Sequence, residues 1–396
     1  MIKLPATDGS LTAYQPRAES RSFTPDSTPF ADRSVLAAAH VVGDPLAPNE
    51  PFGPPLGPPP PQSLDWDATL AFRRHLWSHG FTVAEALDTA HRGAGLDWPT
   101  AAELIRRSGA EARAVGGRLA VGVWTDQLDP FAQHSIDDVK KAYLEQLEVA
   151  EEAGATAIIQ ASTALAQAAR TPEEYAGVYA TLLAQTSRPA VLHWLLPEWV
   201  PGHAGYWGHA EAEQATQAFL DLIATHRDRI DGVKVAPLTP EAETALRRRL
   251  PDGVRFYTGD YDTYTDLIAG DAQGHSDALS PVFDLLAPVA AEAFRTLDAG
   301  DEQGFRGRLD TTLPLARHVF EGPGRSTLFF KTGLVFLAWL AGHAEHSRMV
   351  WAEQGARSVP HLATAYRLAD ELGLFPDPAL AAHRIKQYLA VSGVAQ

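Results

Sequence analysis

The amino-acid sequence predicts an α/β protein, most simply a (β/α)8 TIM barrel with an α-helical C-terminal extension. Apolar strand-like runs alternate with helical patterns from residue 34 onward, which is typical of a parallel sheet covered by helices. About eight such runs can be counted along the chain, the number that closes a barrel. After about residue 280 only helical patterns remain. A doubly wound open sheet is the structural alternative, but no Gly-x-Gly-x-x-Gly motif follows a strand, which weakens a nucleotide-binding version of it.

The predicted elements follow one another in a regular order. The strands are Ser34–Val42, Thr82–Thr89, Arg118–Thr125, Ala155–Ser162, Pro189–Leu196, Ile230–Ala236, Val254–Thr258 and a weaker eighth near His275–Leu279. The helical patterns cover residues 66–79, 99–115, 135–153, 172–186, 209–227 and 239–249. Helix starts are marked by Asp65 or Asp67, Thr100, Ser135 and Thr171, whose side chains suit the N-cap position.

Three segments organise the chain: an irregular N-terminal segment over residues 1–33, the barrel over 34–300 and the helical extension over 301–396. The first is expected to lie over the surface or at an oligomer contact. Residues 51–62 are rich in proline and cannot form a helix or a central strand, so they predict a lid or rim, with a linker as the alternative. The most apolar run, Leu328 to Gly342, contains Lys331 and is too short to cross a bilayer, so it predicts a buried helix.

The composition narrows the functional classes. The formal net charge of -16 disfavours binding to nucleic acid or to an anionic membrane, so neither is an expected partner. The sequence has no cysteine, which excludes disulfides, cysteine-ligated zinc and a cysteine nucleophile. Residues 1–13 contain no long apolar run, so no signal peptide is predicted and a cytoplasmic protein is expected.

One lysine is the main functional candidate. Lys234 lies inside the apolar strand Ile230–Ala236, where a charged amine is costly unless it is paired or functional. Strand alternation places Gly232 and Ala236 on the same face, and these small residues predict open space beside the amine. Desolvation lowers the pKa of a lysine and makes the amine nucleophilic toward carbonyl groups. The alternative is a structural ion pair at the end of a strand.

Several motifs, taken in their order along the chain, resemble those of a known family. They are Ala150–Ala157 before the fourth strand, Pro189–Pro197 at the fifth, Gly232-Val233-Lys234 in the sixth, Tyr257–Asp262 at the seventh and Gly274-His275-Ser276 beyond it. Together they resemble the dihydrodipicolinate synthase / N-acetylneuraminate lyase family of class I aldolase-like barrels, and the sequence is interpreted as a divergent member of that family. The resemblance implies that Lys234 forms a Schiff base with a keto substrate.

Two departures from the family pattern affect the site. The hydroxyl-bearing turn that holds a keto acid's carboxylate in the family is replaced here by His91–Trp98, so pyruvate is in doubt as the substrate and Arg92 becomes the candidate to bind a carboxylate. Trp194 stands where the family has a proton-shuttling tyrosine, and an indole cannot relay a proton. The neighbouring His193 can, because imidazole titrates near neutral pH.

The sequence therefore predicts a class I aldolase-like lyase or synthase that acts on a small keto acid or a sugar-derived carbonyl compound. The predicted catalytic residues are Lys234, His193 and Tyr257, and the predicted substrate-binding residues are Arg92, Gln160, Trp194, Asp260 and Ser276. Structural roles are the alternative for each: a core histidine, a turn or helix cap at Asp260 and Asp262, and aromatic cover of the barrel mouth. No cofactor is expected, and the resemblance implies a homo-oligomer, a dimer or a tetramer.

Two other functions remain open at this point. One is a metal-dependent sugar isomerase, epimerase or hydrolase on the same barrel. Its possible ligands are His40, Asp44, His193, Glu198, His203 and His209. The other is a barrel that binds a small ligand without turnover.

Overall fold

The computed structural model describes residues 1–50, 61–129, 131–195, 206–209, 211–236, 239–322 and 327–396. Eight parallel strands close into a barrel in this part of the chain, and α-helices surround it. The predicted (β/α)8 barrel with C-terminal helices is therefore confirmed. The strands are β1 Ile2–Pro5, β2 Leu11–Tyr14, β3 Val35–Ala38, β4 Thr82–Glu85, β5 Arg118–Val123, β6 Thr156–Ile159, β7 Ala190–Leu195, β8 Ile230–Ala236, β9 Arg255–Thr258 and β10 Asp277–Ser280.

The barrel strands β3 to β10 neighbour one another in chain order, and β10 closes the ring against β3. The predicted and observed strands overlap at all eight positions, but most observed strands are shorter. The first ends at Ala38 rather than at Val42. The residues beyond it, including Val41 and Val42, are buried although they no longer pair with a neighbouring strand. An apolar run marks burial, and burial continues past the end of the hydrogen-bonded ladder.

Helices follow the strands as the sequence predicts. The helices of the barrel are α1 Trp66–Ser78, α2 Trp98–Val115, α3 Ile136–Glu152, α4 Thr163–Ala168, α5 Pro172–Gln185, α6 Ala212–Thr225, α7 Pro240–Arg247, α8 Tyr264–Ala269, α9 Val282–Leu285 and α10 Ala287–Asp298. The helices beyond it are α11 Glu302–Leu309, α12 Leu313–Phe320, α13 Phe330–Leu340, α14 Val359–Leu372 and α15 Pro378–Val391. Short 3-10 turns include Asp88–Ala90 and Val350–Gly355.

The N-cap predictions are mostly confirmed. The side chains of Asp65, Ser135 and Thr171 each accept a hydrogen bond from a backbone N–H in the first turn of a helix. Thr100 does not cap α2. Its backbone N–H instead donates to the side chain of Asp97, since the helix begins earlier than predicted, at Trp98.

The apolar core has two parts. The smaller part fills the inside of the barrel and comes from side chains that point inward on alternate strand positions. Its members are Leu36, Ala38, Ala84, Leu87, Ala120, Ile158, Val191, Tyr257 and Leu279. The larger part lies between the strands and the surrounding helices and continues without a break into the C-terminal helices. The extension therefore shares the core of the barrel.

The N-terminal segment is more ordered than the irregular stretch that the sequence predicts. β1 and β2 form an antiparallel hairpin in which Ile2 and Leu4 are buried. The Tyr14 hydroxyl donates a 2.7 Å hydrogen bond to the carboxylate of Asp370 in α14. The hairpin forms because it packs on C-terminal helices that are remote in sequence, so local polarity did not reveal it.

The predicted proline-rich rim lies largely outside the described residues, since positions 51–60 are not among them. The apolar run from Leu328 forms α13, in which Lys331 is buried as the sequence predicts. No helix in the part of the chain that the structure describes is long and apolar enough to cross a membrane.

Candidate active site at the barrel mouth

Three inward-facing polar side chains lie next to one another on adjacent strands. Gln160 directly follows β6, His193 lies in β7 and Lys234 lies in β8. His193 and Lys234 are partners in the strand register, so their side chains project side by side. The Lys234 Nζ is 3.2 Å from His193 Nε2, and His193 Nδ1 makes a short hydrogen bond with Gln160 Oε1. All three residues are less than a tenth exposed.

Burial sets the protonation states of Lys234 and His193. Desolvation lowers the pKa of Lys234, and the negative charge of Asp88 partly opposes that shift. Desolvation, followed by the positive charge of Lys234, lowers the pKa of His193 well below its usual value. The imidazole is therefore neutral at physiological pH. This is the electrostatic setting in which an amine becomes a nucleophile.

The amide of Gln160 fixes the tautomer of His193. An amide oxygen only accepts hydrogen bonds, so His193 Nδ1 carries the proton and donates it to Gln160 Oε1. His193 Nε2 is then left with its lone pair, which faces the Lys234 amine. The arrangement provides a buried amine with an adjacent neutral base. Gln160 Nε2 has no hydrogen-bond partner among the described residues, so one donor of this amide remains available.

Tyr257 is turned toward the opposite end of the barrel. Its hydroxyl donates to Asp231 at 2.5 Å and accepts from the Ser34 hydroxyl at 3.2 Å. Burial, together with Asp231, raises the pKa of this hydroxyl above its usual range. The tyrosine ring fills the space beside Gly232, where an added Cβ would lie 2.6 Å from Tyr257 Cε2. The space that Gly232 predicts beside the amine is therefore occupied, and the structure does not bring the Tyr257 hydroxyl to Lys234.

A large cavity also lies at that N-terminal end of the strands. It has a volume of about 1000 Å³ and is lined by residues that include Ser34, Asp231 and Tyr257. In (β/α)8 barrels the reacting groups lie at the C-terminal ends of the strands, whereas the N-terminal end contributes stability. We therefore locate the candidate site by the polar side chains at the C-terminal ends and not by cavity size.

The Arg92 side chain forms all its hydrogen bonds within the protein. Its guanidinium donates to both carboxylate oxygens of Asp126, to Gln146 Oε1 at 2.8 Å, and to the backbone oxygens of Ala86 and Gly122. These five contacts account for all five N–H donors of an arginine side chain. No donor is left for the substrate carboxylate that the sequence assigns to Arg92.

Ser276 and Asp260 also have partners within the protein. The Ser276 hydroxyl donates to Glu243 of α7 at 2.9 Å. The Asp260 carboxylate accepts hydrogen bonds from the backbone N–H groups of Asp262 and Thr263, which is the turn that the sequence offered as the alternative to a binding role. Neither side chain makes a contact with Lys234 or His193 in the part of the chain described.

Trp194 lies on the outer face of β7, opposite to its neighbour His193. Its ring packs edge-on against Phe219 at a centroid distance of 4.3 Å and stacks with Trp207 at 6.4 Å. This packing fixes the strand against α6. Strand alternation directs His193 inward and Trp194 outward, so the structure does not bring the two to one site.

The possible metal ligands do not assemble in the described chain. His40 Nδ1 is 2.9 Å from the Asp284 carboxylate, whereas Asp44 accepts the backbone N–H of Leu46 in a turn. Glu198 and His203 lie outside the described residues. Across the described ranges no group of three or more histidine, aspartate or glutamate side chains is placed to hold a metal ion.

Asp88 was not among the site residues predicted from the sequence. It follows β4 within the 3-10 turn Asp88–Ala90 and is the residue whose negative charge acts on Lys234. A polar residue at the C-terminal end of a predicted barrel strand was the available signal, since that is where active-site side chains lie.

The fold and these side chains define a (β/α)8 barrel that carries a buried lysine, paired with histidine, on its sixth barrel strand. The chain belongs to the family described as "Protein of unknown function (DUF993)", whose model matches residues 2–394. A search of the curated proteins gives no significant match.

Among solved structures, the chain is similar to dihydrodipicolinate synthase from Aquifex aeolicus, with 13% identity, a TM-score of 0.61, and coverage of 87% of this chain and 99% of that one. It is similar to the Thermotoga maritima dihydrodipicolinate synthase at 14% identity and a TM-score of 0.60, covering 86% of this chain and 99% of that one. It is also similar to YagE from Escherichia coli K12, a prophage protein of the dihydrodipicolinic acid synthase family solved in complex with pyruvate. That match has 13% identity, a TM-score of 0.63, and coverage of 86% and 99%. At these identities the similarity shows the fold.

Proposed function

We propose that the protein is a class I aldolase-like lyase or synthase that forms a Schiff base between Lys234 and a small keto acid or a sugar-derived carbonyl compound. The observation that carries the proposal is the 3.2 Å contact between the buried Lys234 Nζ and the lone-pair nitrogen of a neutral His193. A buried lysine in a barrel of this fold, next to a base with a fixed tautomer, has the features of an activated nucleophile.

The first step is the preparation and attack of the amine. His193 Nε2 takes a proton from the Lys234 ammonium, and the free amine attacks the carbonyl carbon of the substrate to give a carbinolamine. The protonated His193 returns its proton to the carbinolamine hydroxyl, which leaves as water when the imine forms. The protonated imine then accepts the electron pair that is released when a carbon–carbon bond or a carbon–hydrogen bond next to it breaks.

Gln160 supports these proton transfers by its position. Its Oε1 holds the Nδ1 proton of His193, so Nε2 is the nitrogen that exchanges protons with Lys234. Its Nε2 is buried and has no partner in the described chain, so it is a donor available to a substrate oxygen. The same residue would thus orient both the base and the substrate.

Borohydride trapping tests the proposal directly. The purified protein is incubated with a panel of keto acids and keto sugars, reduced with borohydride, and analysed by intact mass and peptide mapping. A reduced adduct on Lys234 is expected for at least one compound, and its mass identifies the substrate class. The Lys234→Met variant should give no adduct, whereas Lys386→Met, which removes an exposed lysine of α15, should give the wild-type amount.

The His193→Phe variant separates this chemistry from simple lysine labelling. It keeps the amine but removes the base, so adduct formation should slow by about 100-fold, the lower end of the usual contribution of general acid–base catalysis. The proposal is refuted if no compound gives an adduct on Lys234. It is also refuted if the adduct forms equally fast without His193.

A further inference from the structure

A second buried lysine lies in the C-terminal extension. Lys331 is only 5% exposed and lies in the first turn of α13. Side chains in a helix tilt toward its N-terminus, so the ammonium is directed to the positive end of the helix dipole. The structure gives Lys331 no hydrogen bond and no ion pair with any described residue. Its one recorded contact is with the ring of Phe330, whose centroid is 5.4 Å from Nζ.

A second cation lies beside the start of the same helix. Arg357 is 8% exposed, and its Nε donates to the backbone oxygen of Phe329 at 3.3 Å, immediately before α13. Its Nη2 is buried and has no hydrogen-bond partner in the described chain. Two buried cationic side chains therefore lie at the start of one helix, each with donors that no described residue accepts.

One carboxylate lies in this cluster, and a histidine binds it. The Thr332 hydroxyl donates to the backbone oxygen of Glu353 at 2.9 Å, and the Glu353 carboxylate is 2.8 Å from His91 Nε2. Burial lowers the pKa of His91, and Lys331 is close enough to add to that effect. The ring is therefore neutral, with Nε2 donating to Glu353, and its buried Nδ1 lacks a partner among the described residues.

The charges of this cluster do not balance within the part of the chain that the structure describes. Lys331 and Arg357 contribute two positive charges, Glu353 contributes one negative charge, and neutral His91 contributes none. A buried charge without a counter-charge is costly, and a bound anion would remove that cost. The positive end of the α13 dipole would also favour an anion there, whereas it disfavours the lysine itself.

The two segments that meet at the contact between His91 and Glu353 have strained backbones. His91 has a φ of 62°, Trp351 of 58° and Ala352 of 53°, all in the left-handed region that non-glycine residues avoid. Such conformations persist where the surrounding structure enforces them, and they concentrate at ligand sites.

We propose that Lys331 and Arg357 form a binding site for a small anionic group, a carboxylate or a phosphate, between the loop after β4 and the C-terminal helices. That loop also carries Asp88, whose charge acts on Lys234, so the anion site lies at the same end of the barrel as the lysine. We assign the anion as the charged end of the carbonyl substrate, and this assignment alone rests on the proposed function. The C-terminal extension then supplies the anion-binding groups that Arg92, in the turn at His91–Trp98, does not provide.

Isothermal titration of the full-length protein tests the site, with inorganic phosphate and malonate as probes at constant ionic strength. At least one probe should bind, and the tighter of the two identifies the anion class. Lys331→Met removes the charge but keeps the length of the side chain, and it should weaken binding at least tenfold. Lys386→Met, at an exposed position in α15, should leave the affinity within twofold of the wild type.

Two further variants make the result decisive. Arg357→Gln should also weaken binding at least tenfold, and it replaces Lys331→Met as the test if that variant fails to fold. Lys234→Met should bind the probe within threefold of wild type, so failure of the imine proposal and failure of the anion site give different results. The anion site is overturned if neither probe binds the wild type, or if a folded Lys331→Met variant keeps wild-type affinity.

Discussion

Replacing Glu243 by glutamine should change how the stability of the protein depends on pH. Glu243 is 2% exposed and lies on α7 against β9 and β10. Its two oxygens accept hydrogen bonds from the hydroxyls of Ser276 at 2.9 Å and Thr258 at 3.0 Å. Burial raises its pKa from 4.5 to about 7, with Asp260 adding to the shift, while the two hydroxyls and Arg247 oppose it.

The size and sign of the effect follow from that shift. A difference between 4.5 and about 7 corresponds to about 3 kcal/mol of unfolding free energy, at about 1.4 kcal/mol per pH unit. The folded state holds the proton more tightly than the unfolded state. The stabilisation is therefore complete below the unfolded pKa and is lost as the pH rises through the folded pKa. A glutamine keeps the shape of the protonated acid and does not ionise.

Urea unfolding at pH 5, 6, 7 and 8 measures the effect. Glu243→Gln should match the wild type within about 1 kcal/mol at pH 5 and exceed it by about 2 to 3 kcal/mol at pH 8. Glu241→Gln is the matched control, because Glu241 is exposed on the same helix, and it should follow the wild-type pH dependence. A Glu243→Gln curve parallel to that of the wild type across this range would refute the reasoning.

Two further predictions concern residues that the sequence associated with the site. Gly232→Ala should destabilise the protein by about 1 to 3 kcal/mol, because the new Cβ would lie 2.6 Å from Tyr257 Cε2 and 2.8 Å from the Arg255 backbone oxygen. Gly177→Ala in α5, where a Cβ meets nothing within 4 Å, should instead be neutral or stabilising by up to about 1 kcal/mol, and equal effects in urea unfolding would contradict the packing argument. Arg92→Met should cost about 3 kcal/mol at pH 7, because it leaves the mostly buried Asp126 without its cation. Burial alone would raise the pKa of Asp126, but Arg92 lowers it, so this loss should shrink as the pH falls below about 4, and a pH-independent loss would contradict it.

The fold could be predicted because its signal is repeated along the chain. Each barrel strand gives a short apolar run and each helix a cap and a periodic pattern, so an error at one element leaves the others intact. The ends of the strands were predicted less accurately than their existence, for a physical reason. Val41 and Val42 are as apolar as strand residues because the end of the barrel is also buried. The N-terminal hairpin was missed because the surface that buries it, α14, lies far away in sequence.

The candidate site was partly predictable from the alternation of inward and outward side chains along each strand. Gln160, His193 and Lys234 occupy inward positions on neighbouring strands, and strand periodicity alone places them together. Periodicity fails for long side chains, because it fixes the Cα and not the functional end. Tyr257 is the register partner of Lys234, yet its hydroxyl lies at the opposite end of the barrel.

Loop residues lie outside the reach of periodicity altogether. Arg92 follows β4, and its environment depends on Asp126 and Gln146 from later elements. The environment of Lys331 depends even more on residues distant in sequence, since it includes His91, about 240 positions earlier in the chain. Sequence alone could indicate that this lysine is buried. Only the fold shows that a second cation, Arg357, lies at the start of the same helix.

The proposed imine site at Lys234 and the proposed anion site at Lys331 together assign the C-terminal extension a chemical role. Lys234 must be able to lose its proton to act as a nucleophile, so an anion bound directly beside it would raise its pKa and oppose reaction. Arg92 cannot bind the anion, because all its donors are taken. In the proposed anion site the charge of the anion would be neutralised by Lys331 and Arg357, which are separate from Lys234. The pKa of the Lys234 amine would then still be lowered by desolvation, with the neutral His193 beside it.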